Sequence, residues 1–62
     1  MSELKRYSEA MVRGDLATCI AIEQKHELYG YPPEIVSVGL QAHDEGRDAL
    51  LAVDRYLDGD DE

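Results

Sequence analysis

Cysteine is almost absent from this chain, since Cys19 is the only one among its 62 residues. A disulfide within the chain is therefore excluded, and so is a zinc site built from several cysteines. Cys19 lies in an apolar run, residues 16–22, where a free thiol behaves as a small buried hydrophobe. This run lacks the nearby positive charge that activates a thiol. A single unreactive thiol is typical of a reducing, intracellular compartment.

Basic residues are also scarce. The chain has six lysines and arginines against fourteen aspartates and glutamates, which gives a formal net charge of −8 at pH 7. Such a surface repels nucleic-acid phosphates, because their binding depends on clustered lysine and arginine. We therefore expect no direct binding of nucleic acid. The acidic balance instead fits a basic protein partner, high solubility or adaptation to salt.

Long hydrophobic runs are missing as well. The longest apolar stretch is far shorter than the ~20 residues that a membrane-spanning helix needs. No hydrophobic segment follows the first six residues, so we expect no secretory signal peptide. These observations predict a cytoplasmic protein without a membrane partner. A chain this short buries only about 60% of its unfolded surface, which limits it to one domain with a thin core.

Glycine and proline divide the chain into segments with helical periodicity. Helices are predicted over residues 3–13, 16–29, 33–44 and 47–58, with an acidic tail at 59–62 that is expected to fray. Ser2 and Asp15 are candidate N-caps, Gly30 is a candidate helix stop, and Pro33 suits the first position of the third helix. The fold class is therefore all-α, a compact bundle of three to four short helices in a single domain, 1–62.

Two apolar helix faces suggest close contacts. The first half of the second helix is apolar nearly all round, which indicates burial on several sides or contact with a second copy of the chain. The second interpretation predicts a homodimer with Ile20 and Ile22 near the contact. Gly39 lies near the centre of the apolar face of the third helix, although glycine weakens a helix by about 1 kcal/mol relative to alanine. We expect close approach of the first part of helix two, the alternative being a glycine without a role.

The pattern of apolar and charged residues in the fourth helix predicts a small interface. Six apolar residues are expected to share one face: Ala49, Leu50, Ala52, Val53, Tyr56 and Leu57. Leu51 points nearly the opposite way, and four charged residues surround it: Arg47, Asp54, Arg55 and Asp58. An apolar centre with a polar rim is typical of a protein interface. A single exposed leucine is also common on surfaces that bind nothing.

No catalytic or metal-binding motif stands out in the sequence, because each candidate is explained more simply by a structural role. The serines have no histidine at helical spacing, and the five glycines are too dispersed for a phosphate-binding loop. Glu23 and His26 have the Glu-x-x-His spacing of di-iron bundles, but their polar neighbours predict a solvated helix end. His43 is interpreted as a residue of a helix C-terminus. We expect no enzyme activity, no cofactor and no metal.

One set of motifs resembles the ubiquitin-associated (UBA) domain over residues 16–57. Gly30-Tyr31-Pro32 is similar to the Gly-aromatic-Pro that follows the first helix of that family, and Ala52-Val53-Asp54 and Tyr56-Leu57 are similar to its third helix. The resemblance implies a three-helix bundle to which the N-terminal helix is an addition. It also implies a binding loop at Tyr29-Gly30-Tyr31 and a second contact near Leu57 and Asp58.

Tyr29 and Tyr31 also have an interpretation of their own. Both flank a glycine at a helix end, so at least one ring is expected to stay accessible as an amphipathic anchor for a partner. The alternative is that both rings pack on the third helix as a hydrophobic lid.

These observations favour a non-enzymatic protein-interaction module, a small helical adaptor or inhibitor that docks on a protein partner. One alternative is an acidic decoy that imitates nucleic-acid phosphates and blocks a basic protein surface. Another is a homo-oligomeric assembly factor. The decoy predicts binding that is lost at moderate salt, because the screening length is about 10 Å at 0.1 M. The adaptor predicts binding that depends on apolar side chains and survives salt.

Overall fold

The computed structural model describes residues 2–59, which form a compact bundle of four α-helices. The helices are α1 (Glu3–Arg13), α2 (Leu16–Lys25), α3 (Pro33–Asp44) and α4 (Ala49–Leu57). The expected all-α class is confirmed, and the predicted bounds of α1 and α3 match the structure. Most of the expected acidic tail, residues 60–62, lies outside the described residues.

Local capping explains where the first two helices begin. The Ser2 hydroxyl accepts a hydrogen bond from the Lys5 amide at 3.0 Å, and α1 ends at Gly14 with a φ of 75°. Asp15 then caps α2 by accepting from the Thr18 amide at 3.3 Å. Such caps satisfy backbone groups that have no partner within the helix. The chain therefore turns sharply between α1 and α2.

The end of α2 was predicted wrongly. The helix stops at Lys25, four residues before the predicted end at Tyr29. Glu27 adopts a φ of 60°, an uncommon left-handed conformation for a residue other than glycine. The Leu28 amide donates to the Glu23 carbonyl at 2.6 Å, and the Leu28 side chain is fully buried. The turn at Glu27 thus delivers Leu28 to the core, which a continued helix would not do.

The fourth helix is shorter than predicted at both ends. It begins at Ala49 because Asp48 is its N-cap and accepts a hydrogen bond from the Leu51 amide at 3.2 Å. Arg47, the predicted first residue, belongs to the preceding turn. Asp58, the predicted last residue, is the C-cap.

The core is organised around α3, which packs against both α1 and α4, while α1 also packs against α2. Nine buried residues form it: Tyr7, Ala10, Cys19, Ile22, Leu28, Ile35, Val36, Leu40 and Val53. The burial of the Cys19 side chain is confirmed. Because α1 supplies Tyr7 and Ala10, the N-terminal helix is part of the core and not an appendage to the other three.

Gly39 allows the close approach that the sequence predicted, but from different neighbours. A Cβ atom at this position would lie 2.9 Å from Leu28 Cδ1 and 3.0 Å from Val53 Cγ2. The approaching groups therefore belong to the α2–α3 connector and to α4, and the expected contact with the first part of α2 was wrong. Alanine has no room here without movement of two buried side chains.

Candidate partner-binding surface

Apolar side chains remain exposed along α4 because only α3 packs closely against it. Val53 is the one residue of this helix that is fully buried, and Ala49 and Ala52 are half-buried. The predicted buried face was therefore too broad, since three of its six members are exposed: Leu50, Tyr56 and Leu57. Leu51 is 51% exposed, as its helical phase predicted.

Leu51 stands between two shallow depressions. The first is lined by Tyr31, Asp48, Leu50, Leu51 and Asp54. The second is lined by Arg47, Asp48, Leu51, Ala52 and Arg55. Together these eight residues are called the Leu51 surface below. Leu51 and Asp48 line both depressions, so these two residues lie at the boundary between them.

The loop before α3 contributes to the first depression through Tyr31. Its amide donates to the Leu28 carbonyl at 3.3 Å, so the position of the loop depends on the buried Leu28. The Tyr31 ring is 37% exposed beside Leu50 and Leu51. The structure thus brings one aromatic and two aliphatic side chains together from parts of the chain that are about twenty residues apart.

Five of the predicted partner-binding residues lie in the Leu51 surface: Tyr31, Arg47, Leu51, Asp54 and Arg55. The other four do not line either depression: Tyr29, Gly30, Leu57 and Asp58. The sequence reasoning missed Asp48, Leu50 and Ala52. The N-cap signal of Asp48, three residues before Leu51, was available in the sequence. The exposure of Leu50 depends on tertiary packing and had no local signal.

The two depressions differ in charge. The first carries Asp48 and Asp54 without a basic side chain, whereas the second shares Asp48 and adds Arg47 and Arg55. Arg47 Nε donates to Glu45 Oε1 at 3.1 Å, so its charge is partly compensated within the turn. The hydrogen bonds from Arg47 and then from Gln41 hold the pKa of Glu45 below its usual value. The first depression is therefore the acidic and apolar half of the surface.

The two residues expected at a self-association contact lie in different environments. Ile20 is 40% exposed on the outward side of α2, but Ile22 is 2% exposed and belongs to the core. A side chain without surface cannot add area to an interface. Only Ile20 of the pair is placed to contact a second copy.

Glu23 and His26 are not at a solvated helix end, so that interpretation was wrong. The Tyr7 hydroxyl donates to Glu23 Oε2 at 2.6 Å, and the His26 side chain is 8% exposed. The His26 ring packs edge-on against the ring of His43, with centroids 4.4 Å apart. These contacts use the polar side chains to join α2 to α1 and α3. Within residues 2–59, no three histidine, cysteine or acidic side chains are arranged to hold a metal ion.

Glu3 completes this polar junction. Its Oε1 atom lies 3.5 Å from His26 Nε2, although neither atom completes a hydrogen bond. Its Oε2 atom lies 3.2 Å from the Arg6 guanidinium and 3.5 Å from Lys25 Nζ. Burial raises the pKa of Glu3, but His26 and the positive charges of Lys25 and Arg6 outweigh it. The pKa of this carboxyl therefore lies below its usual value of 4.5.

Comparison with known proteins gives no assignment: no family model matches the chain, and neither a curated protein nor a solved structure matches it.

Among the described residues, every helix is too short or too polar to cross a membrane.

Proposed function

We propose that this chain is a non-enzymatic protein-interaction module, a small adaptor or inhibitor that docks on a protein partner through the Leu51 surface. The observation that carries the proposal is the exposure of Leu51, an apolar side chain that lines two depressions with charged rims. An anchor of this kind, ringed by polar groups that exclude water when bound, is typical of the centre of an interface.

The energetics support a role for three apolar side chains. Full burial of a leucine contributes roughly 1.5–3 kcal/mol, and Leu50 and Leu51 both have surface left to bury. The Tyr31 ring adds a large contact area at a small cost in conformational entropy. Leu50 and Leu51 lie on a helix that the Asp48 cap and the buried Val53 hold in place. A surface on a rigid element loses little entropy on binding.

The charge of the first depression indicates the chemistry of the partner. Asp48 and Asp54 flank the apolar side chains, and the whole chain carries a formal charge of −8. A partner that presents an apolar side chain with lysine or arginine beside it would be complementary in shape and charge. We place this partner in the cytoplasm, a compartment that suits the single free thiol of Cys19.

The same carboxylates also favour the second candidate, an acidic decoy that occupies the nucleic-acid site of a basic protein. Two substitutions on one turn of helix distinguish the candidates. The adaptor predicts that Leu51→Ala weakens binding more than Asp54→Asn and that binding persists as salt increases. The decoy predicts the reverse order and a steep loss of binding with salt.

The resemblance to the UBA family supports a third possibility for the partner, ubiquitin. Tyr29 and Leu57, which that family's contacts would use, are both exposed. Titration with ubiquitin, followed by amide chemical shifts, separates the surfaces. Shifts centred on Tyr29, Gly30 and Leu57 would assign the UBA-type contact, whereas ubiquitin that leaves the spectrum unchanged would exclude it.

Site-specific photo-crosslinking tests the proposed function. A photoreactive amino acid replaces Leu51 in one variant and Val12 in a control variant, because Val12 is an exposed apolar residue on α1. In cells of the source organism, position 51 is expected to give a discrete adduct with another protein, and position 12 is not. Equal labelling at the two positions, or no adduct at position 51, would contradict the proposal.

A further inference from the structure

The outward face of α2 carries no charged side chain over two turns. Five exposed residues form it: Leu16, Ala17, Ile20, Ala21 and Gln24. At about 100° per residue they occupy one stripe roughly 140° wide around the helix. Cys19 and Ile22 lie on the opposite, buried side. In a chain with twenty charged residues out of 62, such an uncharged face requires an explanation.

We propose that this face, called the α2 face, binds the α2 face of a second copy of the chain, with the two helices antiparallel about a two-fold axis near Ile20. The proposal does not depend on the proposed function, because the α2 face and the Leu51 surface share no residue. It assigns Ile20 to the centre of the contact. Leu16 of each copy then lies near Gln24 of the other, since the two are equally far from Ile20 along the helix.

Electrostatics favour a second copy over a charged partner. Two chains that each carry a formal charge of −8 repel, so they can approach most closely where the surface bears no charge. The α2 face meets that condition, whereas the Leu51 surface carries four charged residues: Arg47, Asp48, Asp54 and Arg55. A basic partner, in turn, gains nothing electrostatically from an uncharged face.

The ends of α2 are complementary in the antiparallel arrangement. Asp15 precedes the helix and Lys25 ends it, each five residues from Ile20. Pairing about Ile20 therefore brings Asp15 of one copy towards Lys25 of the other. Lys25 is exposed, although its present partner, Glu3, is largely buried at 3.5 Å. The Asp15 carboxylate also caps α2 by accepting from the Thr18 amide and hydroxyl. An Asp15–Lys25 pair between the copies therefore adds little to the strength of the contact.

The small side chains of the α2 face determine how closely the two helices approach. The area of the contact determines the strength of the dimer. Ala17 and Ala21 allow two helix axes to approach to about 8 Å. A standard interface buries about 800 Å² per partner, which is about a fifth of the 4145 Å² surface of this chain. Two turns of one helix supply less than that. The expected dimer is therefore weak, with a dissociation constant in the micromolar range or above.

Sedimentation equilibrium from micromolar to millimolar concentration tests the proposal. The average mass is expected to rise from 7.0 kDa towards twice that value. Ile20→Glu and Ala21→Glu are each expected to raise the dissociation constant about tenfold or more, because each places like charges across the two-fold axis. Ala21 is exposed and glutamate favours helix, so Ala21→Glu keeps the test valid if Ile20→Glu affects folding. Leu51→Glu is the control and is expected to dimerise normally.

Disulfide formation tests the register. Ile20→Cys, oxidised with glutathione disulfide, is expected to form a crosslinked dimer much faster than Val12→Cys under the same conditions. Facing positions across closely packed helices meet the Cα separation that a disulfide needs, and the native Cys19 thiol is buried. A monomer of 7.0 kDa at every concentration would overturn the proposal, and so would crosslinking at position 20 that is no faster than at position 12.

Discussion

The Asp44 carboxylate, at the end of α3, accepts hydrogen bonds from the backbone of Glu3 at 2.9 Å and from that of Leu4 at 3.1 Å. It thereby satisfies two amides at the start of α1 that have no partner within the helix. Burial raises the pKa of Asp44, but these two hydrogen bonds outweigh it, so the pKa lies below its usual value. One side chain thus joins the beginning of the first helix to the end of the third.

Asp44→Asn is expected to lower the free energy of unfolding by about 1 kcal/mol at neutral pH, because asparagine keeps one of the two acceptor oxygens but loses the other and the negative charge. A folded-state pKa below the unfolded one stabilises the protein above the unfolded pKa, and this contribution disappears as the pH falls through the folded value. The difference between wild type and variant should therefore shrink below pH 3.8, the usual value for aspartate. Urea unfolding measured over this pH range checks the prediction, and a difference independent of pH would contradict it.

Gly39→Ala is expected to destabilise the protein by about 1 kcal/mol. Overpacking against Leu28 and Val53 costs roughly 1–3 kcal/mol, which the better helix propensity of alanine offsets only in part. The double variant with Leu28→Ala provides the control, because it removes the nearer of the two side chains that the new Cβ would meet. In that background Gly39→Ala should cost less in urea unfolding, since only the Val53 contact at 3.0 Å remains. Equal costs in both backgrounds would show that Leu28 is not the constraint.

Local signals predicted two of the four helices with their bounds. Ser2, Gly14 and Pro33 each act through a cap or a fixed backbone angle, so their effect is visible in a few neighbouring residues. The end of α2 was missed because it depends on Leu28 reaching a space beside Gly39. That contact joins residues eleven positions apart, and the helical period around Leu28 gives no sign of it.

The candidate site was predicted only in part, because some of its features depend on local helical phase and others on tertiary contacts. The exposure of Leu51 follows from helical phase alone, since Val53 and Leu51 lie far apart around α4. The exposure of Leu50 and the nearness of Tyr31 follow from α4 being covered by α3 on one side only. The burial of His26 likewise required knowledge that α1 and α3 meet there.

Tyr29→Ala and Tyr31→Ala distinguish an anchor from a hydrophobic lid. The Tyr29 ring is 62% exposed and packs little, so its removal is expected to change the free energy of unfolding by less than about 0.5 kcal/mol. Tyr31→Ala should lower the free energy of unfolding by more, about 1 kcal/mol, because the Tyr31 ring is partly covered. Partner binding should fall for Tyr31→Ala while the variant stays folded, with its melting temperature lowered by roughly 4–8 °C. A large loss of stability in both variants would instead support the lid.

The Cys19 thiol is expected to be protected in the folded protein. Burial, and then the negative charges of Glu23 and Asp15, raise its pKa, so little thiolate is available at mildly alkaline pH. A thiol reagent should react slowly with the native chain and rapidly in guanidinium. The Ile20→Cys variant is the control, since it places a second, exposed thiol one residue further along α2. Equal reaction rates for the two thiols would show that Cys19 is not buried in solution.

The central claim is that Leu51 anchors a protein partner, and the affinity of Leu51→Asp for the photo-crosslinked partner tests it most directly. The variant should keep wild-type helicity and melting, because Leu51 is exposed, and bind about tenfold more weakly or worse. Val12→Asp, an equally drastic change on α1, should bind as wild type does. Unchanged affinity in folded Leu51→Asp would contradict the proposed function, and unfolding of the variant would show that Leu51 belongs to the core.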